Sequence, residues 1–292
     1  SIRYRISEES MALGNGATEL MYKLIELLHP KKVIVPAPSF SEYRLSAEAA
    51  GCPVDSFLLT ADRGFVLPLE EIEKKLLPHS LIYLGHPNNP DGQLLSPSDF
   101  EAVLHLAKKK ESFLIIDESF IDFVGDDVSY RRVLVNETCG AVVMSLTKFY
   151  AVPGLRIGAA FLHSALAERL RDTLIPWNVN GLAQSYMTAA AQDLDYIKDS
   201  RGYCQTEREK LSAALEALDF VKVLPGSVNF ILCQLIGKFE TAGKLQKALM
   251  PYHIFIRQCG NYEGLGETYF RVAVRTEEEN QILIKALGAV EN

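Results

Sequence analysis

The chain has 292 residues, 48% of them hydrophobic, which is enough to bury a large core and exceeds the size at which chains usually divide into two domains. Its net charge of -7 at pH 7 argues against nucleic acid or an anionic membrane as a partner, because both would repel such a surface. An anionic small molecule would therefore have to be bound by local arginines.

The cysteines and histidines exclude further kinds of site. The five cysteines are scattered and never spaced as Cys-x-x-Cys, which favours a reducing compartment over a disulfide framework. No two histidines have the spacing of a metal site, so we expect no metal. No membrane-length apolar run and no signal peptide are visible, so we expect a cytoplasmic protein. The first residues, 1–6, resemble no initiator sequence, and we expect the chain to begin inside a longer natural one.

The first predicted helix opens at Ala17, directly after the glycine turn Gly14-Asn15-Gly16, and ends at His29-Pro30. A glycine turn that feeds a helix N-terminus presents unpaired N–H groups and can bind a phosphate. The turn lacks the third glycine of a dinucleotide fingerprint and the Gly-Lys-Ser/Thr of a P-loop. By itself it indicates only a turn.

Short β-branched runs then alternate with helical stretches. The predicted strands are 33–35, 54–58, 81–84, 113–116, 141–144 and 157–162, and the predicted helices lie near 40–50, 67–77 and 98–110. This alternation predicts an α/β fold with a mainly parallel sheet flanked by helices.

From about Trp177 the pattern changes, and we predict a smaller α+β domain. A long helical stretch precedes predicted strands at 221–223, 229–232, 254–257 and 269–275, with one helix near 244–250 and another at the end of the chain. We place the large domain at 1–180, a bridging helix at 181–212 and the small C-terminal domain at 213–292.

Lys148 lies four residues after the predicted buried strand 141–144. Burial lowers the pKa of a lysine and leaves the free amine that a carbonyl needs to form a Schiff base. Ser145, Thr147 and Arg156 add two hydroxyls and a cation, which together fit a phosphate. A lone lysine after a strand is often only a solvated loop residue. Ser145-x-x-Lys148 also matches the serine motif of β-lactamases, but no Ser-Asp-Asn or Lys-Thr-Gly element accompanies it.

The full string, Ser-x-Thr-Lys followed by Gly-x-Arg-x-Gly, resembles the lysine motif of fold-type I pyridoxal-phosphate enzymes. That cofactor also needs an acid for its pyridinium nitrogen, an apolar residue on its ring face and a donor to its phenolate oxygen. Asp117, Phe40 and Asn89 follow three other predicted strands and are the candidates, since functional groups collect at the carboxyl ends of parallel strands. Taken singly, they could instead be a helix cap, a core residue and part of a turn.

Several further motifs extend the resemblance over essentially the whole chain. They are Gly14-Asn15-Gly16, Asn88-Asn89-Pro90, residues 117–123, residues 176–180 and residues 257–262. Together they resemble the L-threonine-O-3-phosphate decarboxylases of cobalamin biosynthesis, close relatives of histidinol-phosphate aminotransferase. The resemblance implies a fold-type I aminotransferase-like fold, pyridoxal 5'-phosphate as cofactor, a small phosphorylated amino acid as substrate and a homodimer.

The same resemblance implies a role for each candidate. Lys148 carries the cofactor and Asp117 pairs with its ring nitrogen, and these two are the implied catalytic residues. Phe40 stacks on the ring and Asn89 contacts the phenolate oxygen. Arg271 holds the substrate carboxylate and Arg257 the substrate phosphate, with Asn89 also in the substrate site. The residues implied to hold the cofactor phosphate are Gly16, Ala17, Thr18, Ser145, Thr147 and Arg156.

The chain also departs from its relatives. Nothing matches the N-terminal segment that closes over the substrate and lends a tyrosine to the neighbouring subunit. Asp91 stands where many relatives carry Thr, a change that we expect to matter little. Phe120 stands where aminotransferase relatives usually carry a tyrosine that donates to the phenolate oxygen.

We therefore expect decarboxylation of L-threonine O-3-phosphate to the phosphate ester of 1-amino-2-propanol. An aminotransferase would use the same cofactor contacts and stays open as an alternative. A non-catalytic pyridoxal-phosphate-binding effector domain also stays open, but it should follow a helix-turn-helix segment, and none is visible in the sequence.

Overall fold

The computed structural model describes residues 2–291. The strands are β1 (Met11–Gly14), β2 (Lys32–Ala37), β3 (Val54–Leu58), β4 (Ser80–Gly85), β5 (Phe113–Asp117), β6 (Gly140–Ser145), β7 (Gly158–Leu162), β8 (Val221–Val223), β9 (Phe230–Leu235), β10 (Arg257–Gln258) and β11 (Tyr269–Ala273). The helices are α1 (Ala17–Leu28), α2 (Glu42–Ala49), α3 (Leu69–Lys75), α4 (Pro97–Lys109), α5 (Arg131–Leu134), α6 (Ser164–Thr173), α7 (Gly181–Ala190), α8 (Leu194–Glu216), α9 (Ala242–Leu249) and α10 (Glu277–Glu291).

A seven-stranded sheet forms the centre of the larger part, in the order β1-β7-β6-β5-β4-β2-β3. The five strands from β2 to β6 run parallel, whereas β7 is antiparallel to β6 and β1 is antiparallel to β7. Side chains alternate between two buried layers, because successive strand residues point to opposite faces. Val33 and Val35 pack with α1 and α6, while Ile34 packs on the opposite face with α4. The expected α/β sheet covered by helices on both faces is confirmed.

The smaller part is built on a four-stranded antiparallel sheet, in the order β10-β11-β9-β8. One apolar core joins this sheet to α9, α10 and the second half of α8. The first half of α8 contributes Ile197 to the core of the large sheet, and its second half contributes Leu211 and Leu215 to the small core. A single helix thus connects the two cores.

The predicted elements of the large sheet are all present, from β2 to β7, together with α1 to α4. Strand β1 was not predicted, because Met-Ala-Leu-Gly contains none of the β-branched or aromatic residues that favour strands. The strand predicted at 254–257 is instead Arg257–Gln258, whose two residues pair with β11. The helical stretch expected as one bridging helix contains two, α7 and α8. The domain boundaries stay a prediction.

Two negative findings concern residues 2–291. No helix there is long and apolar enough to cross a membrane. No group of three or more His, Cys, Asp or Glu side chains in the same range is placed to hold a metal ion.

Candidate active site

A cavity of about 540 Å³ opens at the carboxyl ends of β2, β4, β5 and β6. The start of α1 and the segment that joins β10 to β11 complete its wall. The predicted site residues that line it are Ala17, Thr18, Phe40, Asn89, Asp117, Ser145, Thr147, Lys148, Arg156, Arg257 and Arg271. Residues more than 250 positions apart in the sequence are thus brought into one site.

Lys148 follows β6 by three residues, and its side chain is open to the cavity. The cavity walls still remove water from around the ammonium group. This desolvation lowers the pKa of Lys148, the charges of Arg156 and Arg271 lower it further, and Asp117 opposes them. No carboxylate in the described part of the chain forms an ion pair with Lys148. The amine is therefore accessible and biased towards its neutral, nucleophilic form.

Asp117 ends β5 and is buried at the base of the cavity. Its Oδ1 accepts hydrogen bonds from the Ser119 N–H at 2.9 Å and the Ser119 hydroxyl at 2.5 Å, and its Oδ2 accepts one from the Tyr43 hydroxyl at 2.8 Å. Burial raises the pKa of Asp117, and these hydrogen bonds and the charge of Lys148 oppose that rise. Both carboxylate oxygens have fixed donors, so the group has one defined orientation.

Tyr43 and Ser119 are site residues that the sequence did not identify. A usable signal existed for Ser119, because an aspartate side chain commonly accepts a hydrogen bond from the backbone N–H two residues further on. Its hydroxyl also accepts from the Ser145 N–H at 3.0 Å, which connects the ends of β5 and β6. Tyr43 had no such signal, since its contact with Asp117 spans 74 residues.

The start of α1 and the loop after β6 form a pocket for an anion. Gly16 caps α1 at a φ of 89°, a conformation that favours glycine, and an added Cβ there would collide with the Arg156 guanidinium. Ala17 and Thr18 occupy the first two helical positions, whose N–H groups have no acceptor within a helix. The Ser145 and Thr147 hydroxyls contact each other at 2.8 Å on the same side of the cavity. This donor set suits a phosphate. Gly16 itself does not line the cavity, because it lies beneath Arg156.

Asn89 links the large sheet to the small one. Its side-chain oxygen accepts hydrogen bonds from Arg271 and from the Tyr262 hydroxyl, the latter at 3.3 Å. The amide nitrogen then remains as a donor towards the cavity, as expected for a contact with a phenolate oxygen. Tyr262 was quoted in a sequence motif but not predicted as a site residue.

Arg257 and Arg271 stand directly opposite each other in the antiparallel pair of β10 and β11. Cross-strand partners share one face of a sheet, and like charges there repel. Arg257 donates to Asn261 at 2.9 Å and lies over the Tyr262 ring, while Arg271 lies over the Phe230 ring at 4.5 Å. Neither arginine forms an ion pair within residues 2–291. An anion bound between them would relieve the repulsion.

The charge balance of the cavity is positive although the whole chain is acidic. Lys148, Arg156, Arg257 and Arg271 line it without carboxylate partners among the described residues. The two carboxylates in its lining are Asp117 and Glu263, and the Glu263 carboxylate is paired with Arg44 at 2.8 Å. The cavity is therefore built for a ligand that carries several negative charges.

The structure places the two residues, Asp91 and Phe120, at which the sequence departs from its relatives. Asp91 is buried, and its carboxylate accepts from Asn88 at 2.5 Å and from the Gln93 N–H at 2.8 Å. Burial raises the pKa of Asp91 to about 6. Phe120 lines the cavity and packs edge-on against Phe230 at 5.1 Å, so no hydroxyl is present at that position.

A lysine at the end of a central strand, a buried carboxylate and an anion pocket at a helix N-terminus define a class, the aminotransferase-like enzymes of fold type I. The family profile "Aminotransferase class I and II" matches residues 3–287, and the chain belongs to that family. Its cofactor is pyridoxal phosphate, and the residues present fit that group. Lys148 would bind the aldehyde, Asp117 the ring nitrogen, and the pocket at the start of α1 the phosphate.

Individual relatives were found among both decarboxylases and aminotransferases. The chain is 33% identical to the threonine-phosphate decarboxylase of Salmonella typhimurium, over 95% of this chain and 76% of that protein. It is 32% identical to the adenosylcobalamin biosynthesis bifunctional protein of Leptospira interrogans, over 99% of this chain but only 33% of that protein. Among solved structures, the histidinol-phosphate aminotransferase of Clostridium acetobutylicum superposes with a TM-score of 0.90 at 32% identity, over 97% of this chain and 84% of that one.

Proposed function

We propose that the protein catalyses the pyridoxal-phosphate-dependent decarboxylation of L-threonine O-3-phosphate to (R)-1-amino-2-propanol O-2-phosphate and CO2, in cobalamin biosynthesis. The observation that carries this proposal is the pair Arg257 and Arg271, which face each other across two strands in the cavity without carboxylate partners among the described residues. Threonine phosphate carries two anions, a carboxylate and a phosphate, one for each arginine. The similarity to threonine-phosphate decarboxylase supports the same substrate.

The arginines would decide which bond of the substrate breaks. When bound, pyridoxal phosphate supplies an electron sink, which accepts electrons only from the bond at the α-carbon that stands perpendicular to its ring. Arg271 on the carboxylate and Arg257 on the phosphate would fix the rotation about that carbon through charge-assisted bonds. The Cα–carboxylate bond then breaks, CO2 leaves, and the α-carbon takes up a proton. Lys148 lies in the cavity lining and would donate this proton from its ammonium form, becoming the neutral amine.

Transamination is the second candidate function, because an aminotransferase would use the same cofactor contacts. The solved histidinol-phosphate aminotransferase superposes closely, and this observation keeps transamination as the second candidate. Phe120 favours the decarboxylase, because it cannot donate to the phenolate oxygen and leaves that hydrogen bond to Asn89.

Substitution of Arg257 tests the proposed substrate. We expect Arg257→Ala to lose about tenfold or more in apparent affinity for threonine phosphate, because the Arg257 side chain is exposed and a hydrogen bond to a charged group typically contributes about 1.5–3 kcal/mol. Affinity for unphosphorylated threonine should change little. Arg275→Ala is the matched control, since Arg275 follows β11, pairs with Glu279 and lies outside the cavity lining. An equal loss for both substrates would refute the role of Arg257.

We further infer that the protein acts as a cytoplasmic homodimer whose active site lies at the subunit interface. Ile175, Trp177 and Leu182 expose 64%, 95% and 74% of their surface. Asn178, within the same segment, donates to Leu13 and to Glu19 in the first turn of α1, so the apolar patch adjoins the anion pocket. The five cysteines are all unpaired, which supports a reducing compartment.

A further inference from the structure

Tyr43 is buried in the first turn of α2 and has contacts with two predicted cofactor-binding residues. Its hydroxyl donates to Asp117 Oδ2 at 2.8 Å. Its ring meets the Phe40 ring edge-on, with centroids 5.9 Å apart. One side chain thus adjoins both the carboxylate at the base of the cavity and the aromatic ring in its wall.

The position of Tyr43 is itself fixed. Its ring stacks on Tyr83 with centroids 4.8 Å apart and planes 6° from parallel, and Tyr83 lies in β4, an inner strand of the sheet. Burial and the nearby carboxylate of Asp117 raise the pKa of Tyr43 well above its usual value. The hydroxyl therefore stays protonated and can only donate to Asp117.

The two oxygens of Asp117 have different donors. Ser119, two residues further along the chain, donates to Oδ1. Oδ2 accepts its hydrogen bond from Tyr43, which belongs to helix α2. Without the tyrosine hydroxyl, a buried carboxylate would lose a donor to its charged form, and that form would be less favoured. Ser119 alone would not fix the tilt of the carboxylate plane.

We propose that Tyr43 is a positioning residue that holds Asp117 charged and oriented for the ring nitrogen of the cofactor. The proposal rests on the role of Asp117 in cofactor binding and not on the identity of the substrate. It is therefore tested with pyridoxal phosphate alone, and a failure of the proposed decarboxylation would not affect the outcome.

The experiment compares Tyr43→Phe with Tyr83→Phe. Both variants keep the stacked rings, but the Tyr83 hydroxyl donates to the Met21 carbonyl at 3.5 Å, whereas the hydrogen bond to Asp117 comes from Tyr43. We expect Tyr43→Phe to raise the dissociation constant for pyridoxal phosphate about ten- to hundredfold, as for a lost hydrogen bond to a charged group. The absorption maximum of the bound cofactor should shift, because the ring nitrogen is less well paired. Tyr83→Phe should match the wild type in both measurements.

A double-mutant cycle separates this role from packing. If Tyr43 acts through Asp117, then Tyr43→Phe should change the dissociation constant by no more than about twofold in an Asp117→Ala background. Additive effects of the two substitutions would overturn the proposal. It would also be overturned by a Tyr43→Phe protein with the wild-type spectrum and affinity.

Discussion

At the scale of single residues, the proposed chemistry depends on the environment of Lys148. The predicted role required an amine that is both desolvated and accessible, and the structure places Lys148 in the cavity wall with a lowered pKa. Lys110 is a suitable comparison, because it caps the C-terminus of α4 and does not line the cavity. We expect Lys148→Ala to lose the visible absorption band of lysine-bound cofactor, and Lys110→Ala to retain it. An unchanged spectrum in Lys148→Ala would contradict the assignment.

The lowered pKa of Lys148 has a consequence for pH dependence. Only the neutral amine attacks the aldehyde, so the rate of cofactor capture by the apoprotein should rise with pH through the pKa of Lys148 and then level off. Burial is the main cause of the lowered pKa and Arg156 the second. Removing the Arg156 charge raises the pKa, so Arg156→Gln should move the midpoint to higher pH. Stopped-flow absorbance measures this, with Arg44→Gln as the control. A midpoint that is unchanged or moves down would be inconsistent with this account.

The sequence could place a residue in the site when it lies within a few residues of the end of a strand. Asp117 and Lys148 were predicted this way, because the carboxyl ends of parallel strands meet at one edge. Tyr43 and Tyr262 were missed because they contact the site across the fold, Tyr43 with Asp117 and Tyr262 with Asn89. Such contacts depend on how α2 and the small sheet dock, which no local pattern encodes.

At the scale of elements, β-branched composition was sufficient to predict the strands that are buried on both faces. It failed for the short edge strand β1, which is held by pairing with β7 rather than by its own propensity. The order and direction of strands were also not predictable beyond the parallel core, because β7 follows a long loop and returns antiparallel to β6.

The contact between β7 and the start of α1 gives a prediction at this scale. A Cβ at Gly158 would collide with the backbone of Gly16 and Ala17. Gly158→Ala should therefore displace the start of α1, which forms one side of the anion pocket. We expect a loss of about 1–3 kcal/mol in the free energy of unfolding, typical of overpacking, together with weaker cofactor binding. Urea denaturation and cofactor titration measure the two effects. Gly181→Ala is the control, because an added Cβ there meets open space. Equal effects of both substitutions would count against the contact.

At the scale of the whole molecule, the site depends on two sheets that the sequence could describe only separately. The smaller sheet contributes Arg257 and Arg271, and the hydrogen bond from Arg271 to Asn89 connects it to the larger sheet. The family resemblance implied roles for both arginines. Their pairing in register could not be read from the sequence, since β10 was predicted at the wrong residues.

The proposed homodimer is also a property of the whole molecule. Trp177→Ser in the exposed patch should shift the protein from dimer to monomer in sedimentation velocity. Phe255→Ser should not, although Phe255 is 78% exposed, because Phe255 lies just before β10 of the smaller sheet and not in this patch. A wild-type protein that sediments as a stable monomer and still binds cofactor tightly would contradict the dimer.

The most direct test of the central claim identifies the product. Purified protein with bound pyridoxal phosphate is given L-threonine O-3-phosphate labelled at the carboxyl carbon, and labelled CO2 is measured against keto-acid formation. L-Serine O-phosphate serves as a second substrate that lacks only the methyl group, and histidinol phosphate with 2-oxoglutarate as the transamination assay. The account predicts stoichiometric release of labelled CO2 with one equivalent of the amino-propanol phosphate ester and no transamination. Transamination of histidinol phosphate without release of CO2 from threonine phosphate would contradict it.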